Sequence, residues 1–195
     1  MQIAICGGGV IGSALAYELT ARGEQVTLIE RWRIAGAASG KSGGFLARDW
    51  CDGTPLQTLA EVSFDRHQEW ADRLGNPYGY RRVETFSAAM SARRTLPPRG
   101  DRGVAGWLAE GAVNRQRLGT GATTAQLDPA QFTTALAKRA ARDGARIRIG
   151  AVAGLSTDAQ GNAATAVVLA DGDRIDADAV VLALGPWSLL AATWV

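Results

Sequence analysis

Three glycines spaced as Gly-x-Gly-x-x-Gly constrain the fold of this 195-residue chain more than any other feature. Gly7, Gly9 and Gly12 follow a short apolar run that starts at the second residue, and residues 10–22 have the apolar spacing of a helix. A strand-like run, QVTLIE, comes next at residues 25–30. Strand, glycine turn, helix and strand within about thirty residues form the β-α-β half of a Rossmann-type fold. The sequence therefore predicts an α/β chain with a parallel sheet.

Each glycine of this motif has its own physical role. The first permits a tight turn, the second lets the backbone approach a pyrophosphate, and the third lets helix and strand pack closely. The phosphates would then lie at the helix N-terminus, where free N–H groups and the helix dipole favour negative charge. Glu30 ends the second strand, at the position where a carboxylate bonds ribose hydroxyls. Because a carboxylate repels a 2′-phosphate, Glu30 disfavours NADP and leaves NAD and FAD open.

Two further helices are predicted from their start signals. Thr54, followed by a proline and by Gln57, is typical of an N-cap, an N1 proline and a capping box, and Gly75 ends this helix. Asp128 begins a second helix in the same way, and Gly144 follows its end. The predicted inner face of the first helix consists of Leu59, Ala60, Trp70, Ala71 and Leu74.

Several shorter segments have the composition of strands. They are predicted at residues 147–149, 151–157 and 164–169, with a turn between the last two. Residues 78–127 contain strand-like pieces on both sides of an Arg/Pro/Gly-rich segment at 93–103, which predicts an exposed loop.

Composition and cysteine content exclude several classes of protein. The chain is 47% hydrophobic and 21% charged, as in a soluble globular protein, and its net charge of +2 gives no reason to expect nucleic acid. Cys6 and Cys51 form no disulfide framework, and neither has metal-ligand spacing with His67. We therefore expect no metal and a cytoplasmic location.

Both ends of the chain are apolar. The first 16 residues lack a basic segment and contain three successive glycines, which argues against a signal peptide. Residues 179–195 are uncharged, but Gly185-Pro186 divides them into a strand-like and a helix-like piece, so we expect two short buried elements and no membrane span. Because this terminus is so apolar, we expect that the residues that would cover it are absent from this chain.

Four segments resemble the D-amino-acid oxidase/glycine oxidase family of FAD-dependent oxidoreductases, in the family's order. The segment AASGKSGGFLA at 37–47 resembles the small-residue run that passes along the pyrophosphate and under the flavin. Residues 126–140, 144–152 and 176–188 resemble the returning helix, the strand whose valine contacts adenine, and the turn that closes over the cofactor. Within the family, GKSGGFLARDWCDG together with TTAQLDP is similar to a little-characterised branch of oxidoreductases, which implies no substrate.

The resemblance implies a fold and a reaction. It implies an FAD-binding domain of the glutathione-reductase kind, with its first segment at 1–77 and its second at 128–195, and part of an antiparallel-sheet substrate domain at 78–127. The implied function is oxidation of a small amine or amino acid by hydride transfer to flavin N5. Family members are about twice as long, so the C-terminal half of the family fold is expected to be missing or supplied by a partner chain. A nicotinamide-dependent Rossmann dehydrogenase and a truncated, non-catalytic dinucleotide-binding fragment are the alternatives.

The resemblance and the glycine motif together give a set of cofactor-binding candidates and no catalytic residue. Lys41 is expected at the flavin N1/O2 edge or in solvent, and Ser39 and Ser42 at phosphate oxygens or as loop caps. His67, Cys6 and Trp187 are interpreted as packing residues, and nothing demands a thiol at Cys51. The candidates are Gly7, Gly9, Val10, Ile11, Gly12, Glu30, Arg31, Ser39, Gly40, Lys41, Ser42, Gly43, Gly44, Leu46, Val152, Ala183 and Gly185.

Overall fold

The computed structural model describes residues 1–90 and 112–194, in two compact units. Residues 1–43 and 128–195 belong to the first unit, and residues 44–127 to the second. The loop predicted at 93–103 lies outside the described residues. The three-segment domain division expected from the sequence stays a prediction.

The described residues contain three helices and twelve strands. The helices are α1 (Val10–Ala21), α2 (Gln57–Leu74) and α3 (Pro129–Arg142), and residues Ala38–Gly40 and Gly185–Thr193 form 3₁₀ turns. The strands are β1 (Gln2–Cys6), β2 (Gln25–Glu30), β3 (Phe45–Ala47), β4 (Arg81–Arg82), β5 (Thr85–Met90), β6 (Ala112–Gly119), β7 (Thr124–Gln126), β8 (Arg146–Ile149), β9 (Val152–Thr157), β10 (Ala164–Leu169), β11 (Arg174–Asp176) and β12 (Ala179–Leu182).

A four-stranded parallel sheet is the centre of the first unit. Its order is β12-β1-β2-β8, and all three strand pairs are parallel. β1 is buried from Ile3 to Cys6, as expected for a parallel strand covered on both faces. Ala4 and Cys6 pack against Val167 and Leu169 of a three-stranded antiparallel sheet, β11-β10-β9, while α1 packs against α3. The carboxyl ends of the four parallel strands therefore share one edge of this unit.

The described part of the second unit consists of antiparallel strands and one helix. β3, β7 and β4 form one antiparallel sheet, and β5 pairs with β6. Its buried side chains include Phe64, Trp70, Tyr78 and Tyr80. The predicted fold class, a Rossmann-type unit with antiparallel strands of a second domain, is confirmed.

The predicted start of α2 is wrong by two residues, because the N-cap is Leu56 and not Thr54. The Thr54 hydroxyl donates to the Cys51 carbonyl oxygen at 2.7 Å and accepts from the Leu56 N–H at 3.2 Å, so it belongs to the preceding turn. The Gln57 side chain accepts from the Gly53 N–H and closes no capping box. The helix consequently begins at Gln57.

The face that α2 buries also differs from the expectation. Leu59, predicted inside, is 64% exposed, and Phe64, which was not predicted, is buried with Trp70 and Ala71. By contrast, the start of α3 is as predicted, because Asp128 accepts from the Gln131 N–H at 2.9 Å. Within the described ranges, no helix combines the length and the apolar character needed to cross a membrane.

Candidate dinucleotide-binding site

Two of the three motif glycines are required by the packing of the chain itself. Gly7 follows β1 with φ +118°, a conformation that side chains rarely adopt, and its N–H donates to the Ile29 carbonyl oxygen at 2.7 Å. A Cβ at Gly7 would overlap the Ala183 carbonyl oxygen, and a Cβ at Gly12 would overlap the Gly7 carbonyl oxygen. These glycines let β1, α1 and the residue after β12 approach one another closely.

Gly9 differs because the chain's own packing does not require a glycine there. Its φ of −77° is open to any residue, and a Cβ would meet only the Ser39 Oγ, at 3.1 Å. The space above Gly9 is otherwise open. The structure thus has a glycine with room over its backbone at the point where the motif brings a pyrophosphate closest. The residues present fit a dinucleotide.

The first turn of α1 offers hydrogen-bond donors to the same space. The first i to i−4 bond joins the Ser13 N–H to the Gly9 carbonyl oxygen at 2.9 Å, so the N–H groups from Val10 to Gly12 precede the helical ladder. The Val10 N–H donates to the Ser39 Oγ at 2.9 Å. No acidic residue lies in this first turn, and the positive end of the helix dipole is not neutralised from within the helix.

The Glu30 carboxylate is held beside this turn. One oxygen accepts from the Gly8 N–H at 2.8 Å and the other from the Trp32 N–H at 3.0 Å. A carboxylate has about four lone-pair positions, so two stay available to ribose hydroxyls. Glu30 is half-buried at the carboxyl end of β2, where the sequence predicts it.

In the small-residue loop at 37–47, Ser39 is the residue that contacts the glycine turn. Ser39 lies in the 3₁₀ turn with Gly40, and its hydroxyl stands beside Gly9. Lys41 and Ser42 are exposed, and within the described chain neither has a side-chain hydrogen bond or ion pair. Gly43 ends the first segment of its unit. The role of these residues in binding a cofactor stays a prediction, as does that of Gly44 and Leu46, which belong to the second unit.

The remaining candidates lie at the carboxyl edge of the parallel sheet or next to it. Ile11 is 63% exposed in the first turn of α1. Val152 opens β9 and packs partly against the core between the two sheets. The Ala183 N–H donates to the Cys6 carbonyl oxygen at 2.8 Å, which fixes the turn after β12 to the end of β1. Gly185 follows with φ +57°.

An arginine–tryptophan contact at this edge was not predicted. The Arg31 guanidinium carbon lies 4.0 Å from the centroid of the Trp187 ring. The sequence interpretation gave Trp187 a packing role, yet 38% of the residue is exposed. No local pattern could have indicated this contact, because it depends on which strands are neighbours in the sheet.

The residues interpreted as structural have environments consistent with that role. Cys6 is fully buried, and burial raises the pKa of its thiol to about 12, so the thiol is neutral at pH 7. Burial also lowers the pKa of His67, whose Nδ1–H donates to the Ser63 carbonyl oxygen at 2.7 Å. Cys51 is a half-buried free thiol. In the part of the chain that is described, no three His, Cys, Asp or Glu side chains cluster closely enough to hold a metal ion.

Comparison with known proteins gives consistent matches. The family model described as DAO, FAD dependent oxidoreductase, matches residues 2–193. A Schizosaccharomyces pombe protein named "Putative oxidoreductase C1F5.03c" is 33% identical over 150 aligned positions, which cover 72% of this chain and 39% of that protein. The 4-methylaminobutanoate oxidase (formaldehyde-forming) of Paenarthrobacter nicotinovorans is 28% identical over 211 aligned positions, which cover 99% of this chain and 25% of that enzyme.

A solved structure agrees with these matches. Glycine oxidase from Bacillus cereus superposes with a TM-score of 0.82 at 26% identity, covering 99% of this chain and 57% of the oxidase. The chain thus spans less than two thirds of each of these relatives, with 39%, 25% and 57% of their lengths covered.

Proposed function

The chain belongs to the DAO family of FAD-dependent oxidoreductases, and from that membership we propose that its glycine turn, the first turn of α1 and Glu30 hold the ADP part of FAD. The observation that supports this most strongly is the open space above Gly9, which the chain's own packing does not explain. The N–H groups of Ile11 and Gly12 and the positive end of α1 would meet the diphosphate, next to the Val10 N–H that donates to the Ser39 Oγ. The remaining lone pairs of Glu30 would accept from the ribose hydroxyls.

The other candidates complete this proposal. Ser39 and the small residues after it would line the diphosphate, because the Ser39 hydroxyl already lies beside Gly9. Val152 would contact the adenine, and Ala183 and Gly185 would border the cofactor where β12 ends. Family membership favours FAD over NAD, the alternative that the glycine motif and Glu30 alone leave open.

We propose oxidation of a small amine or amino acid as the reaction. When bound, FAD would accept at N5 the hydride from the substrate carbon that bears nitrogen, leaving an imine that water hydrolyses. This chain's residues would contribute by holding and orienting the cofactor. The names of two similar proteins, 4-methylaminobutanoate oxidase and glycine oxidase, support an amine or amino-acid substrate. Because the chain spans 25% and 57% of them, the reaction is proposed for a protein of their full length.

A cytoplasmic location is also part of the proposal. Both cysteines are free thiols, Cys6 buried and Cys51 half-buried, and unpaired cysteines are usual in reducing compartments. Cell fractionation followed by detection of the chain with an antibody tests this. Recovery from a secreted fraction would contradict it.

Gly9→Val tests the cofactor site. A valine side chain would fill the space above Gly9 and displace the diphosphate, so we expect the purified variant to retain no flavin while its apoprotein stays folded. Gly154→Val is the matched control, because a Cβ at Gly154 meets no atom within 4 Å and β-branched residues suit strand β9. Flavin content is read from absorbance, and folding from far-UV circular dichroism.

The outcomes separate the proposal from its alternatives. Normal flavin content in Gly9→Val, or wild-type chain that binds NAD but not FAD, would overturn the cofactor assignment. Peroxide production across a panel of amines and amino acids tests the reaction separately. FAD binding without turnover by the 195-residue chain would favour the dinucleotide-binding fragment.

A further inference from the structure

Arg31 and Trp187 meet across the carboxyl edge of the parallel sheet. Arg31 directly follows the last residue of β2, and Trp187 lies in the 3₁₀ turn that follows β12. These two strands are the neighbours of β1 on either side. The stacked pair, with 4.0 Å between the guanidinium carbon and the ring centroid, therefore spans the end of β1, where the glycine turn begins.

The stack leaves the polar edge of the guanidinium available. In a cation–π contact the guanidinium lies over the face of the aromatic ring. The five N–H donors of arginine lie in the guanidinium plane and point outward from its edge. Within the described residues, Arg31 has neither an ion pair nor a side-chain hydrogen bond, and it is exposed. The Glu30 carboxylate next to it accepts hydrogen bonds from two backbone N–H groups and forms no ion pair with Arg31. Among the described residues, Arg31 thus presents at this edge a positive charge that no ion pair holds.

Trp187 is the fixed member of the pair. The Ala183 N–H donates to the Cys6 carbonyl oxygen, and Leu184 packs against the core between the sheets. The Trp187 backbone N–H donates to the Leu184 carbonyl oxygen at 3.2 Å, which holds the Trp187 backbone close to the end of β1. Arg31, by contrast, begins an irregular segment outside any helix or strand. The position of the guanidinium is consequently set by the ring.

We propose that Trp187 is a positioning residue that holds the Arg31 guanidinium where its charge attracts the diphosphate of the bound dinucleotide. This inference rests on the proposed FAD site and adds Trp187 to it. It predicts that an uncharged substitution at Trp187 changes an electrostatic property of binding. A tryptophan with a purely structural role would have no such effect.

The salt dependence of FAD binding tests the proposal. FAD is titrated into wild-type chain, Arg31→Met, Trp187→Leu and Trp187→Phe at low and at high NaCl. At low salt we expect Arg31→Met and Trp187→Leu each to raise the Kd about two- to fivefold, the range for an exposed cation–π contact. At high salt, where charges are screened, both should approach the wild-type Kd. Trp187→Phe, which keeps an aromatic face, should bind FAD with nearly the wild-type Kd at both salt concentrations.

Trp32→Leu is the matched control. The Arg33 guanidinium carbon lies 4.2 Å from the centroid of the Trp32 ring, so this tryptophan also stacks on an arginine, but the two residues are neighbours in sequence and bridge no strands. Its removal should leave the salt dependence unchanged. A Trp187→Leu effect of equal size at both salt concentrations, or no effect at all, would overturn the positioning role while FAD binding stands. Absence of FAD binding by the wild-type chain would instead overturn the proposed function, and this role with it.

Discussion

The Glu30 carboxylate accepts a hydrogen bond from the Gly8 N–H at 2.8 Å, which ties the end of β2 directly to the turn before α1. Its second oxygen accepts from the Trp32 N–H at 3.0 Å. Glu30 therefore shapes the glycine turn through hydrogen bonds within the chain, and it has lone pairs left for ribose hydroxyls. These two roles can be separated by mutation.

Glu30→Ala should weaken FAD binding by about 1.5–3 kcal/mol, the range for hydrogen bonds to a charged group. It should also lower the melting temperature of the apoprotein, because the Gly8 N–H loses its acceptor. Glu30→Gln keeps one oxygen for Gly8, so it should weaken FAD binding with a smaller loss of stability. Fluorescence titration gives the Kd, and thermal unfolding of the apoprotein gives the stability.

Glu24→Gln is the control for both substitutions. Glu24 lies just before β2, at its opposite end, where its carboxylate accepts from the Met1 amino group at 2.6 Å. Loss of that ion pair should leave the Kd for FAD unchanged. An unaltered Kd in Glu30→Ala would show that the end of β2 does not contact the ribose.

Gly12→Ala should separate the packing role of the motif from its ligand role. Its Cβ would overlap the Gly7 carbonyl oxygen, a backbone atom, so we expect the apoprotein to lose about 1–3 kcal/mol of unfolding free energy. Gly9→Ala should change that free energy little, because the nearest atom is a rotatable hydroxyl at 3.1 Å, and should weaken FAD binding instead. Urea unfolding measures the first quantity. Equal destabilisation by both variants would contradict this division of roles.

Sequence patterns predicted the elements whose signals are local. The Asp128 cap was found because its partner, the Gln131 N–H, lies three residues away and no competing group intervenes. The same pattern failed at Thr54, since its hydroxyl donates to the Cys51 carbonyl oxygen. Periodicity located α2 and two of its buried residues, Trp70 and Ala71, but it wrongly placed Leu59 inside and missed Phe64, because the buried face also depends on the strands of its own unit.

Such local patterns could not predict contacts between residues that are far apart in the sequence. The overlap that excludes a side chain at Gly7 comes from Ala183, and it follows only from the pairing of β12 with β1. The Arg31–Trp187 stack has the same origin. The glycine motif predicted where a phosphate would bind, but the sequence could not indicate which charged side chain lies across that edge.

His67 should make the stability of the chain depend on pH. Burial lowers its pKa in the folded state below the usual value of about 6.5, so the unfolded chain binds more protons as the pH falls. The contribution of His67 is fully present above about pH 6.5 and is lost as the pH falls through its folded pKa. We expect the unfolding free energy to decrease between about pH 7.5 and pH 5.5, and His67→Gln to flatten this dependence.

The chain offers a clean measurement of this effect. His67 is its single histidine, and the amino terminus, whose pKa the hydrogen bond to Glu24 raises, titrates above this range. Urea unfolding at several pH values gives the free energies. A wild-type pH dependence retained in His67→Gln would assign the titration to another group.

Leu189 and Leu190 should drive self-association of the chain at high concentration. They are 87% and 48% exposed in the 3₁₀ segment after β12, close in sequence to Leu182, which is 43% exposed. Burying a leucine stabilises a contact by roughly 1.5–3 kcal/mol, so two or three leucines in one patch suffice for weak association. Sedimentation velocity over a concentration series should show a rising mass, and the double substitution Leu189→Glu, Leu190→Glu should remove the rise because charged side chains resist burial.

Leu59→Glu, at a leucine 64% exposed on α2, is the control and should leave the association intact. A wild-type chain that stays monomeric at every concentration would show that this patch is too small or too dispersed to bind a second copy.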